Sequence, residues 1–129
     1  MISPDRLAIL RGGAFALLLA TPAALANTWF AEQEPKPAGA LNLTLLAMVI
    51  GFAVGGFVTG REATSNRAQR GAVAGLVAFV PVEIIGLLGR TGRGDQISLG
   101  SIIFLAFLAA VAGTVGALIA IRTSERSSP

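Results

Sequence analysis

The chain has 129 residues, 53% of them hydrophobic and only 13% charged, with a formal charge of +3. It contains neither Cys nor His, which excludes disulfides, thiolate chemistry and the commonest metal and haem ligand. The basic residues, all Arg except Lys36, stand at the ends of apolar blocks. That is a signal of membrane topology, not a phosphate-binding face, so no nucleic-acid partner is expected.

A soluble domain of this size would spread its apolar residues at helix or strand period around one core. Here they come in blocks: residues 43–58 include no charged side chain. A hydrocarbon core of roughly 30 Å needs about 20 such residues per helix. The expected fold is therefore all-α, a single transmembrane domain over residues 1–129 with four spans near 12–30, 41–59, 71–89 and 98–121.

The first block admits two readings. Arg6 and Arg11 lead a short apolar core, Pro22 follows, and Ala24-Leu25-Ala26 precedes Asn27, as at a signal-peptide cleavage site. That reading leaves three helices. Alternatively the block is a full span anchored by Trp29 and Phe30 at the outer interface. Residues 31–40 are acidic and Pro-rich and form a loop. After the second span, 60–70 is a short basic loop, and after the third, 90–96 is a tight Gly-rich one. Residues 122–129 are expected to be a polar tail without regular structure.

Counting Lys and Arg in short loops sets the orientation. With the N-terminus inside, Arg6, Arg11, Arg61, Arg67, Arg70, Arg122 and Arg126 are cytoplasmic, against Lys36, Arg90 and Arg93 outside. Both termini are thus expected on the cytoplasmic side of a bacterial inner membrane. An internal repeat is also visible: Arg11-Gly12, Leu17 and Pro22 recur as Arg70-Gly71, Leu76 and Pro81 at an offset of 59. Ala53 to Gly56 resembles Ala110 to Gly113 at an offset of 57. This is the pattern of a duplicated helical hairpin, although an alphabet of Ala, Gly, Leu and Val also produces such matches by chance.

Hydrophobicity cannot hold helices together in lipid, but close backbone approach can, and small residues four apart permit it. Gly51 and Gly55 share a face with Thr44 and Thr59, while Gly56 and Gly60 line another. Gly71 and Gly75 do the same on the third span, and Ala112, Gly113, Gly116 and Ala120 on the fourth. The expected partners are the bilayer and other membrane helices.

One side chain stands out chemically. Glu83 is the ionisable residue well inside a span, and an intramembrane carboxylate is a functional-site hypothesis by default. Pro81, two residues earlier, cannot bond the Val77 carbonyl and is expected to kink the helix. The blander reading is structural: Arg90 lies two turns on along the same face and can reach Glu83. Arg61, Arg67 and Arg70 are candidates for anionic lipid headgroups. No nucleophile–base pair or ligand cluster lies in the spans, so neither an enzyme nor a cofactor is expected.

The run Gly55-Gly56-Phe57-Val58-Thr59-Gly60-Arg61-Glu62-Ala63, followed by Gly71-x-x-x-Gly75-Leu76, resembles small four-span bacterial membrane proteins of unknown function, particularly those of actinobacteria. These share a Gly-Gly-x-x-(Ala/Thr)-Gly-Arg end to the second span. The likeness covers residues 51–76, and the remainder agrees only in layout. The third span of such proteins often opens with a His near its Gly pair, and this chain has none. The resemblance implies four spans and an inner-membrane location, and carries over no site residue. The leading expectation for function is a non-enzymatic accessory, assembly or envelope-maintenance component acting through helix contacts. The alternative is a small oligomeric transporter or channel subunit using Glu83.

Overall fold

The computed structural model describes residues 2–127, and within them four helices account for nearly the whole chain: α1 (Pro4–Ala31), α2 (Ala38–Glu62), α3 (Arg67–Arg93) and α4 (Leu99–Ser127). All four are long and apolar enough to cross a membrane. The chain is a multi-pass, all-α membrane protein.

Each helix outruns the span expected from the sequence. At 1.5 Å per residue the 28 residues of α1 cover about 42 Å, well beyond a hydrocarbon core of roughly 30 Å. The surplus turns carry the polar residues, whose backbone groups are better paired in a continued helix than in a loop. Caps set the true ends. Ser3 accepts the Arg6 amide, with Pro4 opening α1. Ser98 Oγ likewise accepts the Ser101 amide before α4. Gly94 closes α3 in the left-handed region at φ 75°, its amide and that of Asp95 returning to the Thr91 and Arg90 carbonyls. Residues 90–93, expected in a loop, are therefore helical. So are residues 122–127, expected to be an irregular tail; residues 128 and 129 lie outside the described part. The basic loop shrinks to residues 63–66, where Asn66 takes the left-handed conformation at φ 47°, which Asn tolerates better than most residues. Pro22 and Pro81 do not end their helices: α1 and α3 run on through both.

The helices pack as two hairpins side by side. α1 touches α2 and α3, and α4 touches α2 and α3. α2 and α3 meet across the short diagonal, leaving α1 and α4 apart on the long one. Two ends follow. The terminal end holds Ser3, the 63–66 loop and the end of α4; the loop end holds the α1–α2 and α3–α4 connections.

Residue size inside and out is the reverse of a soluble domain. Ala16, Ala20, Ala74, Ala78, Ala109, Ala117 and Ala120 have no exposed surface, and the largest fully buried side chain is Thr59. Leu18, Leu43, Leu88, Leu99 and Phe107 point outward and are each more than half exposed, Leu99 by 71%. Such a surface is stable only where the solvent is itself apolar.

The helices meet backbone to backbone. A methyl group built on Gly12 falls on Thr59 and the Gly55 carbonyl, and one on Gly55 meets Ala16 and the Gly12 carbonyl. One on Gly113 falls on the Gly71 carbonyl, one on Gly56 on the Gly113 carbonyl, and one on Gly116 on the Ala53 carbonyl. Gly113 is thus the point where α2, α3 and α4 converge. Gly51 and Gly55 face α1, Gly56 and Gly60 face α4, and Gly71 and Gly75 face Gly113, Ala117 and Ala109 of α4.

Similar contacts recur in the two hairpins. Gly12 meets Gly55 and Thr59, while Gly71 meets Gly113 and Ala117; Ala16 meets Gly51, while Gly75 meets Ala109. The α1-to-α3 offset is 59, but the α2-to-α4 offset is 58. The 57 suggested by Ala53 to Gly56 is one residue out of register with the packing, because Gly-Gly and Ala-Gly pairs align equally well as letters.

Candidate functional site

At the terminal end, polar side chains tie α1 to the α2–α3 turn. Thr59 Oγ donates to the Ala8 carbonyl at 3.0 Å across the α1–α2 contact. Asp5, in the first turn of α1, accepts the Thr64 amide at 2.6 Å, the Thr64 hydroxyl at 2.9 Å and the Ser65 hydroxyl at 3.0 Å. Arg70 Nε stands 3.3 Å from the same carboxylate and also donates to the Ser65 carbonyl. Arg67 donates to the Gly60 carbonyl at the end of α2, where the helix dipole favours a cation. Asp5→Ala removes the acceptor for Thr64 and Ser65 and the ion-pair partner of Arg70. It is expected to free the 63–66 turn, read as faster tryptic cleavage after Arg67 and Arg70 in detergent-solubilised protein.

The three arginines considered for lipid headgroups are therefore unequal. Arg67 and Arg70 are engaged within the bundle. Arg61 is exposed, with its guanidinium 5.9 Å from the centre of the Phe57 ring, beside a cleft between α2 and α4 that Thr123 and Ser124 complete.

The loop-end half of the bundle is looser. A cavity of about 110 Å³ opens there between all four helices. Its floor is apolar, formed by Phe52, Phe79, Val82 and Ala109, and Met48 lies along one wall. Its upper rim is polar, with Asn27 and Thr28 from α1 and Glu83 and Arg90 from α3. Asn27 is fixed by donating its amide to the Thr44 hydroxyl at 2.8 Å and the Leu41 carbonyl at 3.2 Å. The Thr44 hydroxyl donates in turn to its own helix.

Glu83 is buried, 8% exposed, in the wall of this cavity. Arg90 Nη reaches Glu83 Oε at 3.5 Å, the long limit of a hydrogen bond. The guanidinium is the more exposed partner, its side chain 24% accessible against 11% for Glu83. Pro81 is half-buried one turn-fraction below, and Gly86, on the cavity wall, has open space where a side chain would stand. Below the cavity the bundle is shut by the backbone contacts at Gly113.

Beyond the rim, Arg93 Nε donates to Asp95 at 2.8 Å. That hydrogen bond, helped by Lys36 and Arg90, holds the Asp95 carboxyl below the usual aspartate value of 3.8. A depressed folded value means that the stabilisation is present above about pH 4 and is lost as the pH falls through the folded value. Asp95 is exposed, so the effect is small. Asp95→Asn is expected to melt slightly lower than the parent at pH 7 and level with it at pH 2, measured as thermal unfolding in detergent.

Asp5 and Asn27 are structurally engaged polar residues to which sequence reading gave no role, whereas Thr59, read there on a packing face, makes its hydrogen bond to α1. Among the described residues no group of His, Cys, Asp and Glu is placed to hold a metal ion. Comparison with protein-family models, with curated proteins and with solved structures gives no match.

Proposed function

We propose that this is a non-enzymatic protein of a bacterial cytoplasmic membrane, its termini cytoplasmic, acting through helix–helix contacts as an accessory, assembly or envelope-maintenance component. The supporting observation is the backbone-level closure at Gly12, Gly55, Gly56, Gly71, Gly113 and Gly116. It makes the bundle a rigid body whose outer faces carry the large side chains available for other helices. The terminal end, with seven basic residues, fits the inner side by charge, and the likeness of residues 51–76 to small actinobacterial membrane proteins points the same way. Arg61 is positioned for an anionic headgroup, an interaction of about 1 kcal/mol. Purification in mild detergent tests the reading. A companion membrane protein retained at fixed stoichiometry, and lost on cross-linking-neutral substitution of exposed Leu or Phe residues, supports it; a lone oligomer argues against it.

A second reading, a small transporter or channel subunit, draws on the cavity and the Glu83–Arg90 pair. Liposomes containing the parent should then show cation or proton flux that Glu83→Gln removes. Absence of flux in both forms rejects it.

A further inference from the structure

We propose that the cavity beneath Arg90 is a binding site for a small organic ammonium ion with an apolar body of about one ring. The shape is that of an amphipathic ligand: an apolar floor at mid-bundle and a polar rim toward the loop end, both on the walls of one space. Its volume of about 110 Å³ is of the order of an engineered apolar cavity, about 150 Å³, that admits benzene. Phe52 and Phe79, on the floor, supply aromatic surface for the apolar body to pack against. Met48, flexible and polarisable, lets the wall adjust to an occupant.

Charge selects the head group. Glu83 is the buried member of its pair and Arg90 the more accessible one, at a separation of 3.5 Å that leaves the contact weak. Arg90, already on the rim, can turn outward and be hydrated, whereas Glu83 is buried. An incoming ammonium therefore replaces the guanidinium at Glu83 with little loss, while its body packs against the apolar floor. An anionic ligand would instead have to lie against Glu83 while reaching for Arg90. Asn27, held by its two hydrogen bonds, keeps its carbonyl oxygen as a further acceptor at the rim.

The test is calorimetric titration of the purified full-length chain in nanodiscs with benzylammonium, benzyl alcohol and benzoate. Benzylammonium should bind saturably and at least about tenfold tighter than the other two, the size expected of a desolvated charge contact. Glu83→Gln should remove that preference while leaving benzyl alcohol unchanged. Arg90→Gln should tighten benzylammonium several-fold, because the competing cation is gone, a gain that a merely structural role for Arg90 would not produce. Gly86→Leu, whose side chain enters open space, should abolish binding with the bundle intact. Tighter binding of benzoate, equal binding of the three probes, or no saturable binding to the parent would each overturn the proposal.

Discussion

Gly113→Leu is expected to be the most damaging single substitution in the chain, lowering stability by about 3 kcal/mol or more. At this position even a methyl group collides with the Gly71 carbonyl, and the Gly113 backbone is itself the neighbour of Gly56 on α2. A larger side chain must push α3 away from α4 and disturb α2 as well. In lipid no hydrophobic gain offsets the lost contact, since the separated faces meet acyl chains as apolar as Leu. Gly86→Leu is the matched control. It adds the same atoms to a membrane helix, but into open space beside the cavity, and Leu favours helix over Gly by up to about 1 kcal/mol. Thermal unfolding of the two variants in one detergent should move in opposite directions. Equal losses would mean that Gly content, and not the closeness of the backbones, governs stability.

Arg90→Gln is expected to cost more than Glu83→Gln, by about 1 to 2 kcal/mol after allowing for the partial exposure of the guanidinium. Removing Arg90 strands a buried carboxylate in the cavity wall, whereas neutralising Glu83 leaves a cation with access to the rim and to water. The double variant should recover most of the loss, because a Gln–Gln pair needs no counter-charge. A thermodynamic cycle over the four proteins measures this directly. If Glu83→Gln proves the costlier single change, the pair is anchored by Arg90 and the charge assignment of the cavity is reversed.

Hydropathy blocks made the four helices legible, and the small-residue faces made it legible that they pack closely. Their ends were not. Residues 90–93 and 122–127 are polar enough to read as loop or tail, yet helix is the conformation that pairs their backbone groups at the membrane edge, and only a cap such as Gly94 marks the stop. The partner of each small-residue face also needed depth as well as spacing. Gly55 and Gly56 are adjacent in sequence but face α1 and α4 respectively, and this is what moves the α2-to-α4 offset from 57 to 58.

The candidate site divides the same way. Glu83 and Arg90 lie seven residues apart on one helix, so their pairing follows from helical geometry alone. The cavity beside them is built from residues of all four helices, and nothing in the sequence places Asn27, Met48 or Ala109 around it. Asp5 was equally hidden. Its main partners, Thr64 and Ser65, are uncharged and some 59 and 60 positions away, so no charge pattern announces them.

The proposed membrane topology is open to one direct measurement, helped by the absence of native cysteine. Single cysteines at Ile2, Lys36, Ser65, Gln96 and Glu125 can be reacted in intact cells with a membrane-impermeant maleimide, before and after permeabilisation. The account predicts labelling of positions 36 and 96 from outside, and of 2, 65 and 125 only once the membrane is opened. External labelling at 65 or 125, or loss of position 2 from the mature chain, would contradict it.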